Sequence, residues 1–218
     1  MLLAMDTATS RASIALHDGR VLRSEHTWEA VRRHTVTLAP RIRHMLTDCR
    51  LEADALTAIA VSIGPGSYTG VRIGVAVAQG MAASGGLPLI GVSTLDILAA
   101  AQPPDPRPLY ALFAAGRRRV GYARYRWVED RWCSETGVKI AAWPELVEII
   151  AQTEEPALVV GEIGEQGYDA LMAVDDQVEL PDPAWHLRRA GFLAELAWAR
   201  ARVGESGDPA ALIPLYVR

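Results

Sequence analysis

Leu2-Leu3-Ala4-Met5-Asp6-Thr7-Ala8-Thr9-Ser10 is a short apolar run that stops at a carboxylate and passes into small hydroxyl residues. Four consecutive apolar residues closed by turn formers predict a buried strand and a tight turn. Alternating Ala12, Ile14 and Leu16 predict a second strand. Asp18-Gly19 predicts a hairpin, and Arg20 to Trp28 a third strand, so the chain opens as an antiparallel meander. Helical period follows over 34–50, with Leu38, Ile42, Met45, Leu46 and Cys49 three or four apart. A strand over 57–63 runs into Gly64-Pro65-Gly66, then come a helix over 69–84, a strand over 89–92 and a helix over 94–101.

Gln102 to Pro108 holds four prolines and reads as a linker. Beyond it the order returns: strands over 109–114, 119–128 and 132–140, the last two joined at Glu129-Asp130, then a helix from Pro144 to Thr153 and a strand over 157–160. A long helix over 187–203 and an extended end over 213–217 complete the chain. Three strands, a helix and a strand thus occur twice without evident identity between the halves. The expected division is 1–102 and 103–218. A meander followed by alternating helices and strands gives mixed sheets covered by helices, an α/β fold. Two copies in tandem resemble the actin, hexokinase and Hsp70 superfamily.

The 218 residues are half hydrophobic and 22% charged, with a formal net charge of -4. That composition excludes wholesale disorder, and it gives no electrostatic reason for the whole surface to bind nucleic acid. Two cysteines, Cys49 and Cys133, make no disulfide framework and fit reduced thiols. No secretory signal or membrane-length apolar run is visible, which points to a cytoplasmic protein.

Asp6, Thr7 and Thr9 could face metal-bound phosphate from a hairpin turn, and they are equally the usual turn formers. The run from Gly64 to Gly74 has the strand–glycine turn–helix form that can seat phosphate, but it has neither the P-loop nor the dinucleotide spacing. Gly70, Gly74, Ala78 and Ala82 form a small-residue stripe on its helix. The stripe fits a close helix contact, in the core or at an interface. The five histidines have no zinc-binding spacing, so no metal site is expected. Arg117, Arg118, Arg119, Arg124, Arg126 and Arg131, interleaved with Tyr122, Tyr125 and Trp127, could contact RNA, or form the solvated face of a half-buried strand.

Taken together, Met5 to Thr9, His34-Thr35, Gly64 to Gly74 with Ala78-Gln79-Gly80, Pro88 to Leu95 and Pro214 to Arg218 resemble the bacterial TsaB (YeaZ) family. The resemblance implies a duplicated ribonuclease-H-like fold. It also implies a non-catalytic subunit that scaffolds the tRNA threonylcarbamoyl transferase TsaD, with a TsaE-like ATPase as a further partner. A homodimer is a second arrangement, and tRNA would be contacted mainly indirectly. The transferase's metal-binding His-x-x-x-His corresponds here to Thr94 and Leu98, and neither can replace an imidazole. No cofactor is expected of the chain itself, with ATP and magnesium left to the complex. The family places partner or dimer contacts on the first two helices: His34, Leu38, Ile42, Met45, Gly70, Val71, Gly74, Val75, Ala78 and Gln79. Ala115-Gly116-Arg117 stands where the family often has Asp-Ala-Arg, which weakens nucleotide binding. The rival functions are a small-molecule kinase or ATPase using Asp6 and, behind it, a metallo-glycoprotease.

Overall fold

The computed structural model describes residues 1–31, 34–116, 118–153, 155–205 and 209–217. Arg117 and Arg218 therefore lie outside the described residues. Two units cluster separately: 1–97 with 189–216, and 98–188 with 217–218.

In the first unit, β1 (Leu2–Asp6), β2 (Arg11–His17) and β3 (Leu22–Glu29) form the meander. Helix α1 (His34–Asp48) leads to β4 (Ala58–Ser62), and α2 (Tyr68–Gly85) leads to β5 (Leu89–Val92). The sheet order is β3-β2-β1-β4-β5, with β4 parallel to both β1 and β5. Both sheet faces are dry, so β1 and β4 are buried along their whole length and show no polar alternation. Leu3, Met5, Ile14, Leu16, Ile59 and Val61 face α1 and α2. Leu2, Ala4, Ala15, Ala58, Ala60 and Ile90 face the last helix, α6 (Ala190–Arg202), through Leu193, Ala194 and Ala197.

Helix α6 changes the expected boundary. The sequence reading assigned it to 103–218, yet residues 189–216 belong to the first unit. The open face of the first sheet would otherwise leave a layer of small apolar side chains in water, and α6 covers it. Polar contacts fix it there: the Glu25 carboxylate takes the Gly191 amide at 2.7 Å and the Arg189 guanidinium, while Arg200 reaches the Gly91 carbonyl at 2.7 Å.

The short helix α3 (Thr94–Ala100) spans the point, at residue 98, where the chain passes into the second unit. There β6 (Leu109–Ala114), β7 (Arg119–Val128), β8 (Arg131–Ser134) and β9 (Lys139–Ala142) are followed by α4 (Trp143–Ala151), β10 (Ala157–Gly161), α5 (Gly164–Met172) and β11 (Val178–Glu179). The order is β11-β10-β6-β7-β8, with β9 also paired to β7. β6 and β7 run antiparallel, and β10 runs parallel to β6 and to β11, as in the first sheet. This is a duplicated ribonuclease-H-like fold. The single strand expected over 132–140 is two short strands, each paired to β7. Glu129 and Asp130, both at positive φ, make the tight turn between β7 and β8. Helix α5 and strand β11 were not expected from the sequence. Only Gly167 and Leu171 of α5 are buried, too few to print a helical period, and β11 has two residues.

Candidate functional site

The turn after β1 is locked by its own side chains. One oxygen of the buried Asp6 carboxylate accepts the Ala8 amide at 2.8 Å and the Ser62 hydroxyl at 2.7 Å. The Ala8 carbonyl accepts the Ser67 amide at 2.7 Å, and Thr7 Oγ1 donates to the Gly70 carbonyl at 2.7 Å. Ser67 caps α2 by accepting the Gly70 amide. The turn and the first turn of α2 are therefore one rigid assembly.

That assembly explains the small-residue stripe. A Cβ on Gly70 would sit 2.1 Å from the Thr7 carbonyl oxygen, and one on Gly74 would sit 2.3 Å from Thr7 Oγ1. Ala78 and Ala82 continue the same line and are fully buried. The stripe lets α2 approach β1 and β4 of its own sheet. Leu38, Ile42, Met45, Val71 and Val75, expected at an interface, are likewise buried in the same core. Gln79 is half-buried, and its Nε2 donates to the carbonyls of Pro209 at 2.9 Å and Leu212 at 3.0 Å. It ties down the chain end. Leu215, whose amide donates to the Ile63 carbonyl at 2.7 Å, belongs to the same strap.

The outward faces of α1 and α2 carry other residues. Val36, Ala39 and Arg43 are exposed on α1, and Ala76 and Gly80 on α2, with Val77 and Met81 half-buried. Among the described residues, nothing outside its own helix lies within 4 Å of where a Gly80 Cβ would be. Beside it, a cleft of about 410 Å³ opens between the helices, lined by Ile42, Leu46, Leu51, Val77 and Met81.

A second cleft of about 470 Å³ lies where the first turns of α1 and α2 come together. Thr9, Ser10, His34, Thr35, Ser67 and Thr69 line it, so Thr9 alone of the three nucleotide candidates borders open space there. His34 is 7% exposed, and its Nδ1 has no hydrogen-bond partner among the described residues. Burial pushes its imidazole below the ordinary value of 6.5, against the opposing pull of the Thr9 carbonyl and the Asp6 charge.

Elsewhere the expected RNA stripe is largely engaged. Tyr122 and Tyr125 are buried, Arg124 lies 3.0 Å from Glu135, and Arg126 lies 2.9 Å from Glu155. Thr94 Oγ1 donates to the Pro65 carbonyl, and Leu98 is fully buried. Among the described residues no three His, Cys, Asp or Glu side chains are grouped as metal ligands, and no helix is long and apolar enough to cross a membrane.

Comparison with known proteins brings these features together. The family described as TsaD: tRNA N6-adenosine threonylcarbamoyltransferase matches residues 27–185. The tRNA threonylcarbamoyladenosine biosynthesis protein TsaB of Bacillus subtilis is 29% identical over 223 residues, covering 100% of this chain and 93% of that protein. The protein of the same name in Escherichia coli is 44% identical over 99 residues, a match spanning less than half of each chain (45% of this one, 42% of that). YeaZ from Pseudomonas aeruginosa superposes with a TM-score of 0.80 at 26% identity, covering 99% of both chains.

Proposed function

This chain belongs to the bacterial TsaB (YeaZ) family, and from that premise we propose that it is a non-catalytic subunit of the machinery that forms threonylcarbamoyladenosine in tRNA. In this reading it works in the cytoplasm, binds a TsaD-like transferase through the outward faces of α1 and α2, and holds it in its active state. A TsaE-like ATPase joins the assembly, and tRNA is reached through the transferase. Differential binding of one partner conformation is sufficient for such a role, without chemistry of the subunit's own.

The observation that carries this proposal is Gly80. Glycine in a helix interior costs roughly 0.5–1 kcal/mol relative to alanine, and among the described residues nothing outside its own helix stands within 4 Å of the missing Cβ to offset that cost. Exposed Ala76 lies one turn before it, and half-buried Val77 and Met81 flank it. A bare patch of backbone between apolar side chains suits the close approach of a second helix. The surface proposed for the partner is therefore Val36, Ala39, Arg43, Ala76, Val77, Gly80 and Met81, in place of the buried residues that the sequence suggested.

Gly80→Leu tests it. The added side chain projects into open space, so the variant is expected to melt at or above the wild-type temperature. It is also expected to lose co-purification with the cognate transferase and stimulation of tRNA threonylcarbamoylation. Wild-type binding by this variant would place the contact elsewhere. A second copy of the chain is the competing occupant of the same face. Light scattering of the isolated protein and of Gly80→Leu distinguishes the two.

A further inference from the structure

The second unit has a cleft of its own, about 400 Å³, between the end of α4 and the strands β6 and β7. Pro108 and Tyr110 line it from the start of β6, Arg124 and Arg126 from β7, and Ile149 and Glu155 from α4 and the turn beyond it. Tyr110 and Arg124 are paired across the β6–β7 ladder, so both side chains leave the sheet on one face. Arg126 stands two residues along β7 on that same face.

Tyr110 is the sign that the cleft is built for a ligand. The residue is 1% exposed, and its hydroxyl has no hydrogen-bond partner among the described residues. Nor is the hydroxyl among the fully enclosed unpaired atoms, so the sliver of Tyr110 that solvent touches lies at the hydroxyl and opens into the cleft. A tyrosine this deep normally spends its O–H on the protein. Burial pushes the phenol above its ordinary 10.0, which keeps it a donor at neutral pH. Arg124 beside it is also underused. Its Nε lies 3.0 Å from the Glu135 carboxylate but out of line for a hydrogen bond, and its terminal nitrogens make none among the described residues.

The two sides of the cleft differ in sign. Tyr110 and Arg124 offer convergent donors, the chemistry that receives a carboxylate. Opposite them, the Thr153 hydroxyl is shared between the carbonyls of Ile150 and Glu155, which ties Glu155 to the last turn of α4. A carboxylate beside the negative end of a helix suits a cation. Arg124 and Arg126 are balanced formally by Glu155 on the wall and Glu135 behind, so a ligand carrying both charges fits better than a bare ion. Pro108 and Ile149 supply a small apolar wall.

We propose that this cleft binds a free α-amino acid with a small apolar side chain. Its carboxylate meets Arg124 and the Tyr110 hydroxyl, its ammonium meets Glu155, and its side chain lies against Pro108 and Ile149. The site lies wholly within the second unit and shares no residue with the Gly80 face, so it stands whether or not the scaffold reading does.

The isolated chain is titrated calorimetrically with L-alanine, L-valine and L-leucine, then with valinamide, isobutyrate and orthophosphate. At least one of the three amino acids is expected to bind with a Kd below about 1 mM. Valinamide lacks the carboxylate and isobutyrate lacks the ammonium, so each should bind at least roughly tenfold more weakly than valine. Tyr110→Phe removes a hydroxyl that bonds to nothing in the fold, so the melting temperature should be unchanged or raised while amino-acid binding weakens roughly tenfold. Glu155→Gln breaks an exposed ion pair of little worth to the fold, and it should weaken the amino acid but not isobutyrate. No binding of any of the three amino acids overturns the proposal. So does isobutyrate or orthophosphate binding as tightly as valine, which marks a plain anion site, or binding that Tyr110→Phe and Glu155→Gln leave unchanged.

Discussion

The same substitution at two glycines of one helix should have opposite effects. Gly74→Ala and Gly80→Ala each remove the backbone freedom of a mid-helix glycine, which favours the folded state by about 0.5–1 kcal/mol. At Gly80 the new methyl meets nothing within 4 Å, so the full gain should appear. At Gly74 it lands 2.3 Å from Thr7 Oγ1 and 3.6 Å from a Val61 methyl. Either α2 moves off the sheet, or Thr7 rotates and gives up its 2.7 Å bond to the Gly70 carbonyl. Overpacking costs about 1–3 kcal/mol and a lost buried hydrogen bond about 1 kcal/mol. After the propensity gain is subtracted, Gly74→Ala should lose up to about 2 kcal/mol. For a chain of this size each kcal/mol moves the melting temperature by about 2–4 °C, so the two variants, which differ by the packing cost of about 1–3 kcal/mol, should separate by roughly 2–12 °C. Thermal melts followed by circular dichroism measure this, and both positions report on the same unit. Thr7→Ala supplies the control. It removes the atom that the methyl strikes, so the double variant Thr7→Ala/Gly74→Ala should be less destabilised than the sum of the singles, with a coupling of about 1–2 kcal/mol. If Gly74→Ala melts at or above Gly80→Ala, or the double variant is additive, the assignment of the stripe to internal packing is wrong.

Two further outcomes follow from the described contacts. Gln79→Ala removes two hydrogen bonds to the Pro209 and Leu212 carbonyls, so the Leu215 amide should exchange with deuterium about tenfold faster while the global melt hardly moves. Unchanged exchange at Leu215 would show that the strap is held by other contacts. In the second unit, Arg107 beside Asp105 holds that carboxyl below its ordinary 3.8, and Arg107 also meets Glu179. A carboxyl depressed in the folded state stabilises fully above its unfolded value and loses that contribution as pH falls through the folded one. Asp105→Asn should therefore cost about 1 kcal/mol at pH 7 in urea denaturation, and the gap to wild type should close as pH is lowered from 3.8. A gap that persists in acid would refute the ion-pair origin.

Much of the architecture was legible because local chemistry carries it. The Asp18-Gly19 and Glu129-Asp130 turns, the apolar runs of β1 and β4, and the period of α1 each depend on residues within a few positions of one another. Helix α5 and strand β11 escaped notice because their burial is too slight to leave a pattern. The candidate site divided in the same way. His34, Thr9 and the start of α2 were all singled out from sequence. That they border one cleft follows from the pairing of β1 with β4, which sets the β1–β2 turn against the helix after β4.

The sequence by itself determined that α2 has one side able to approach something closely, since Gly70, Gly74, Ala78 and Ala82 recur every four residues whatever they face. Only the tertiary structure decided that the something is Thr7 and Val61 of the same chain, and that Gly80, which looks like one more glycine in the string, points away from every neighbour. The destination of α6 was open for the same reason. Periodicity records that a face is to be buried, and it is a property of neighbouring residues. The surface that buries it is brought there by strand pairing between distant segments, and no local spacing can state that.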